Sequence, residues 1–257
     1  MKYPIILVSF AVALCLVSCA HKSGHNRQQA SHGNNHAEMS TQTQEQANKV
    51  QPGGQRNLNV DISNKRGDKD KMDGAKIFAM YNTAVFMVFT SDGYNGYQGS
   101  GFFINSEGLA VSNYHVFQGT NIGAEQIKLA NNDEAFKVTE VIHSDTDEDF
   151  ILFRVNVSNT NYIPIAKYKP QVGEKVYAIG SPRGLENTFS SGEVSQWRDK
   201  NLMQISALID HGSSGGALIN EFGEAVGITS GSFADGSQAN LNYAWSIDAI
   251  KPFVNCK

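Results

Sequence analysis

Ala84-Val85-Phe86-Met87-Val88-Phe89, closed by Asp92-Gly93 and answered by Gly101-Phe102-Phe103-Ile104, is the stretch that decides the fold. Short runs of β-branched and aromatic residues broken by turn dipeptides read as strands, not helices. The same pattern extends outward through Leu109-Ala110-Val111, Glu125 to Leu129, Phe136 to Val141 and Phe150-Ile151-Leu152-Phe153, broken at Glu107-Gly108, Asn131-Asn132-Asp133 and Ser144-Asp145. A second series follows: Lys175 to Ile179, Gly192 to Ser195, Leu202 to Ile205, Gly216 to Ile219, Ala225 to Ile228 and Asn242 to Trp245. Two sets of about six strands, parted near Pro164 to Pro170, predict an all-β fold of two six-stranded antiparallel β-barrels. Helix is expected only as a short C-terminal element over Ile247 to Val254 and around Ala75 to Tyr81.

All aromatic residues beyond the first twenty positions lie from Phe78 onward. From His21 to about Asp73 the chain is Gln, Asn, Ser, Gly, His and Lys, a composition unable to bury enough apolar surface to offset ordering entropy. The expected organisation is therefore a leader over 1–18, a disordered tether over 19–73 and a folded domain over 74–257, its barrels at about 76–163 and 171–257. A chain of some fifty flexible residues reaches roughly 40 Å. His21, His25, His32 and His36 in the tether match no tight metal site and read as solvated.

The leader opens on Met1-Lys2 and holds an apolar run from Ile5 to Val17, too short for a bilayer core of about 30 Å. Its end, Leu16-Val17-Ser18-Cys19, resembles the bacterial lipobox, in which the cysteine is acylated and becomes the mature N-terminus. The competing reading is ordinary cleavage after Ala20. With Cys19 as the lipidation site, the protein is expected to be exported and held at the membrane of a bacterial cell envelope, the outer membrane in a Gram-negative host.

The chain has 257 residues, 40% of them hydrophobic, enough for one sizeable core or two small ones. The net charge is −4, and residues 75–257 carry twelve basic against nineteen acidic side chains. Such a domain lacks the electrostatic footprint for phosphate backbones, so no nucleic-acid partner is expected. Cys15 lies in the leader and Cys19 immediately follows it, leaving Cys256 as a buried or fraying terminal thiol without an internal partner in the folded part. Gly-rich phosphate loops, CxxC pairs and zinc-binding histidine motifs do not occur in the folded part, so no cofactor or metal is expected.

Gly212-Ser213-Ser214-Gly215-Gly216 places serines among glycines, where a tight turn can expose a hydroxyl and aim backbone N–H groups at one point. The pattern also fits the elbow of α/β-hydrolases, but their order needs a histidine after the serine, and none follows His211. The order acid, histidine, serine belongs to an α/β fold, and this chain is strand upon strand. Histidine, acid, serine remains. The folded part offers His115, His143 and His211; His115 follows the strand ending at Ser112, and Asp149 opens the strand beginning at Phe150. Together with Ser214 they supply the base, its orienting carboxylate and the nucleophile that acyl transfer requires. Asp145, Asp147 and Glu148 read as solvated, with Asp147 the fallback under a register slip.

Gly99 to Ile104, Gly108 to Val116, Asp149 to Leu152, Val172 to Leu185, and Ser213 to Asn220 with Gly223 to Ile228 resemble, in this order, the HtrA/Deg group of trypsin-like serine proteases. The resemblance implies a chymotrypsin-type fold with the active site between the barrels and polypeptide substrates. It assigns His115 as general base and acid, Asp149 as its carboxylate, Ser214 as nucleophile, and the N–H groups of Gly212 and Ser214 as the oxyanion hole. It further implies that Leu208 floors a specificity pocket for an uncharged, apolar or small P1 side chain, that His211 stands at its entrance, where the competing reading is a preference for an acidic P1, and that Thr229 to Gly231 pairs with extended substrate.

The chain also departs from that group. Ser213 and Ala217 stand where most Deg proteases carry asparagine and proline. Secreted trypsins carry aspartate at the Ser213 position, so no zymogen switch of their kind is expected. Nothing follows Lys257, so the group's peptide-binding PDZ domain is not expected either. The competing function is a catalytically inactive pseudoprotease serving as a lipid-anchored peptide- or protein-binding module, in which the altered surroundings of Ser214 deform the oxyanion hole.

Overall fold

The computed structural model describes residues 57–120, 123–132, 134–181, 187–232 and 241–257. The leader, Cys19 and the tether as far as residue 56 lie outside the described residues. From residue 57 the chain already belongs to the fold, which corrects the expected tether boundary at Asp73. Two short strands, β1 (Asn59–Val60) and β2 (Ile62–Ser63), precede helix α1 (Gly74–Tyr81). Val60 is 1% exposed, with Leu58 and Ile62 packed against the same core. Their two-residue spacing is the strand signal; the polar residues around them conceal it in a composition count. The helix begins where Asp73 accepts a hydrogen bond from Lys76 N at 2.8 Å, an N-cap that satisfies one otherwise orphaned donor.

The first barrel comprises β3 (Val85–Ser91), β4 (Gly96–Phe103), β5 (Leu109–Ser112), β6 (Gln126–Leu129), β7 (Ala135–Asp145) and β8 (Phe150–Val155). They close in the order β3-β4-β5-β8-β7-β6. Between the barrels runs β9 (Ile165–Ala166). The second barrel comprises β10 (Lys175–Gly180), β11 (Thr188–Trp197), β12 (Leu202–Ile205), β13 (Ala217–Asn220), β14 (Ala225–Ser232) and β15 (Asn242–Ser246), closed by pairing of β13 with β14. β9 and then β2 extend this sheet in parallel from β14. The C-terminal helix is of the 3-10 type, Ile247–Phe253, and leads into β16 (Asn255–Cys256), which pairs in parallel with β1. Cys256 is exposed there.

The apolar runs of the first barrel are continuous because both strand faces are buried. Phe103, Ile151 and Phe153 point into the barrel, where the rings of Phe86 and Phe103 lie 4.6 Å apart and those of Phe117 and Phe153 5.3 Å. Their neighbours Phe102, Phe150 and Leu152 point the other way and join Tyr177, Ile179, Ile219 and Ile228 of the second barrel in a shared core. The second barrel has its own interior of Val176, Val194, Met203, Ile205, Leu218 and Val226. This double burial fixes the register of β5 against β8, because a one-residue slip would exchange the two faces.

Because Val60 belongs to the shared core, Val60→Asp should lower the unfolding free energy by about 3 kcal/mol or more, the cost of an unpaired buried charge. The exposed Lys69→Asp should change it by no more than about 0.5 kcal/mol. Urea unfolding of the two variants checks this, and equal midpoints would return residues 57–63 to the tether.

Candidate active site

The pairing of β5 with β8, with Ser112 opposite Ile151, brings the end of one strand to the start of the other. His115 lies in the single 3-10 turn Tyr114–Val116 just after β5, and Asp149 immediately precedes β8. Asp149 Oδ1 accepts His115 N at 2.9 Å, and Oδ2 lies 2.8 Å from His115 Nδ1. An ionised carboxylate only accepts, so Nδ1 carries the proton and Nε2 is left as the basic nitrogen. Oδ2 also accepts the Ser230 hydroxyl at 2.9 Å.

Asp149 has a φ of 44°, in the left-handed region that aspartate tolerates better than most residues. Its carbonyl is held by Asn113 Nδ2 at 2.8 Å, and Asn113 is fully buried. The nearby Asp145 instead caps its own turn, accepting Asp147 N and Glu148 N, while Asp147 is exposed. His143 is stacked on Phe253, with ring centroids 3.6 Å apart, and takes no part in this cluster.

Ser214 sits between two tight turns. Ser213 N donates to Asp210 O at 2.9 Å with Gly212 third in the turn at φ 92°, and Gly216 N donates to Ser213 O at 3.0 Å with Gly215 third at φ 89°. A bonded turn with positive φ at its third residue is type II, and only glycine meets that demand without strain. At Gly215 a Cβ would also stand 2.1 Å from Ser100 O. Ser100 ties the turns to the first barrel: its N–H donates to Ser214 O at 2.8 Å and its hydroxyl to Gly212 O at 2.7 Å. That hydroxyl is itself held by Ser181 N at 2.9 Å. Among the described residues, the N–H groups of Gly212 and Ser214 have no protein acceptor.

His115 and Ser214 line one cleft of about 240 Å³ with Ile209, Asp210, His211, Ser230 and Gly231. His115 and Ser230 also wall an adjoining cavity of about 370 Å³, with Tyr114, Gln118, Thr146, Asp149 and Trp245. His211 and Gly231 line the same cleft as Ser214. Leu208 does not: it is 68% exposed and lines neither cavity. Met203, Ile205, Ala207 and Ile209 alternate into the barrel, so parity turns Leu208 outward and brings Ile209 to the cleft. Thr229 is also corrected. Its N–H donates to Gly216 O at 2.9 Å and its carbonyl accepts Gly215 N at 2.7 Å, so its backbone is already paired within the barrel, and its buried side chain donates to Ser213 O at 2.7 Å, bracing the turn from beneath.

Ser230, Ser100 and Asn113 are the residues sequence reasoning missed. The available signal for Ser230 was again parity, because its neighbour Thr229 points inward. Ser100 and Asn113 carry no local signal, since their partners lie far away along the chain. Among the described residues no three metal-ligating side chains converge, and no helix is long and apolar enough to cross a membrane.

Residues 99–228 match the family described as trypsin-like peptidase domain. The mitochondrial serine protease HTRA2 of Drosophila ananassae is 31% identical over 194 residues, covering 71% of this chain and 44% of that protein. Its counterpart in Drosophila virilis is 30% identical, covering 71% and 45%. The chain thus spans less than half the length of these relatives. The crystal structure of the serine endoprotease from Yersinia pestis superposes with a TM-score of 0.62 at 27% identity, covering 70% of this chain and 65% of that one. Two closed barrels with the histidine, aspartate and serine brought together beside their junction agree with the match over residues 99–228: the chain belongs to the trypsin-like peptidase domain family, and within it resembles the HtrA serine proteases.

Proposed function

We propose that the protein is a serine endopeptidase of the HtrA/Deg kind that hydrolyses polypeptides through an acyl-enzyme. The observation that carries this reading is the Asp149 carboxylate on His115 Nδ1 at 2.8 Å, which leaves Nε2 to serve a cleft that Ser214 also lines. In the first half-reaction Ser214 Oγ attacks the scissile carbonyl carbon while its proton passes to His115 Nε2. The tetrahedral oxyanion takes hydrogen bonds from the N–H groups of Gly212 and Ser214, which no protein acceptor occupies among the described residues. Collapse breaks the C–N bond, and the amine leaves with the proton returned by Nε2. Water then repeats the sequence on the ester, with Nε2 taking its proton, and regenerates the Ser214 hydroxyl.

Asp149 holds the tautomer throughout, and Ser230 steadies the carboxylate oxygen nearest the ring. The type II turn at Gly212 supports a preformed oxyanion hole and gives the inactive binding-module alternative no structural motive. With Ile209 as the apolar residue of the cleft, the uncharged P1 preference first attached to Leu208 moves to Ile209. The lipobox-like Leu16-Val17-Ser18-Cys19 supports export and anchoring through acylated Cys19, with residues 20–56 as the spacer.

Fluorophosphonate labelling and hydrolysis of unfolded casein by the full chain should both vanish in Ser214→Ala, with a loss of about 10⁶ in kcat. A wild type that folds but neither labels nor cleaves would refute the reading. Asp149→Asn should keep the left-handed backbone, which asparagine also tolerates, yet lose about 10⁴ in kcat because the tautomer is no longer fixed. Ser100→Ala should lower kcat by about 10-fold to 10²-fold with little change in KM. That is less than the 10²–10³ expected for losing an oxyanion donor outright, because the donors remain and only their anchor is gone. An unchanged kcat would show that the Ser100 hydroxyl does not hold the turn.

A further inference from the structure

A third cavity, of about 530 Å³, opens on the first barrel next to the catalytic cleft. Tyr114 and Gln118 belong to its wall and also to the wall of the cavity that holds His115 and Asp149. Its floor is apolar, formed by the buried Phe117, Val138 and Ile151, with Val141 at the rim 45% exposed. Into it is built a buried carboxylate that the proposed mechanism does not use. Glu125 is only 4% exposed, yet it lines the cavity. Its Oε2 accepts Gly123 N at 2.7 Å. Its Oε1 has no partner among the described residues, and no lysine or arginine of the described chain pairs with the carboxylate. Glu140 also lines the cavity but is tied to Arg154 at 4.0 Å.

We propose that this cavity is an accessory subsite for a lysine or arginine side chain of the polypeptide held in the cleft, with Glu125 as the counter-charge. A carboxylate removed from water without a cation is costly, and a cation arriving from outside offsets that cost. Lysine and arginine suit the shape: their methylene stems lie along the apolar floor while the charged head reaches the Glu125 carboxylate. The volume is within the usual range for ligand sites. The excess of nineteen acidic over twelve basic residues in 75–257 draws basic segments toward this domain. The naming of a substrate side chain as the occupant rests on the peptidase reading; the affinity of the pocket for a cation does not.

The test titrates the full chain with n-pentylamine and with 1-pentanol, which share a stem and differ in charge. Wild type, Glu125→Gln and Val141→Lys are compared. The glutamine keeps an acceptor for Gly123 N, and the lysine, placed at the exposed rim, fills the pocket from within the chain without disturbing the core. The wild type should bind the amine at least about tenfold more tightly than the alcohol, and both variants should lose that preference. Casein fragments made by the wild type should then show Lys or Arg enriched at one fixed distance from the scissile bond, and those made by either variant should not. Fluorophosphonate labelling of Ser214, which both variants should retain, reports separately on the peptidase reading. Equal binding of amine and alcohol, or an amine preference that survives both substitutions, overturns the subsite. Glu125-dependent amine binding without a fixed basic position in the fragments overturns the substrate side chain as occupant. Loss of labelling in the wild type overturns that occupant together with the peptidase reading, while the titration still decides whether the pocket takes a cation.

Discussion

The antiparallel pairing of β5 with β8 is the constraint on which the site depends. It sets Ser112 against Ile151, so that the residues just beyond each strand, His115 and Asp149, come within 2.8 Å at the same end of the sheet. That register is not free to drift. Ile151 and Phe153 fill the first barrel while Phe150 and Leu152 fill the junction with the second, and a shift by one residue would turn each set to the wrong side. The hydrophobic effect, which knows nothing of catalysis, thereby fixes the geometry of a hydrogen-bonded histidine–carboxylate pair.

The serine comes from the other barrel, so the site also needs the two barrels held in one relation. The shared core does this coarsely. Ser100 does it finely: one residue of β4 grips the carbonyls of both Gly212 and Ser214, and Ser181 N holds the same hydroxyl. Gly215 is part of the same fitting, because a side chain there would strike Ser100 O and force the barrels apart. Thr229 braces the turn from below. Ser214 is therefore aligned by backbone and hydroxyl contacts from strands β4 and β14, and its own hydroxyl has no hydrogen-bond partner among the described residues.

What could be read from the sequence follows from which interactions are local. The barrels were legible because strand runs and turn dipeptides are local signals, and α1 lies within one residue of its expected start. The three residues proposed for the chemistry came from the few histidines of the folded part, the exclusion of the α/β orders and the resemblance to the HtrA/Deg group, and the structure sets His115 on Asp149 and places Ser214 on the same cleft. The misses at Leu208, Thr229 and Ser230 trace to side-chain parity along the strands, and those at Ser100 and Asn113 to distant partners. Leu208 turns outward because Ile205, Ala207 and Ile209 turn inward. Thr229 turns inward, which sends Ser230 to the carboxylate. Leu58, Val60 and Ile62 form a strand-spaced trio that composition alone averages away. Ser100 and Asn113 act through partners 112 and 36 residues distant, and no local pattern encodes such a pairing.

Asp149 and Asn113 each break a local rule, and they do so side by side at the site. Asp149 holds a left-handed φ, a conformation that costs a non-glycine residue on the order of 1–3 kcal/mol. Asn113, which holds its carbonyl, leaves its own Oδ1 buried without a partner, a penalty of similar size at about 1–3 kcal/mol. Neither feature serves the barrel: β8 would begin equally well from an extended residue. What the left-handed turn achieves is to swing the carboxylate back from the strand toward the loop after β5, where it meets both the amide and the ring of His115. The strain at these two residues falls where the acid is oriented, and the adjoining strands β5 and β8, buried on both faces, are stable enough to impose it.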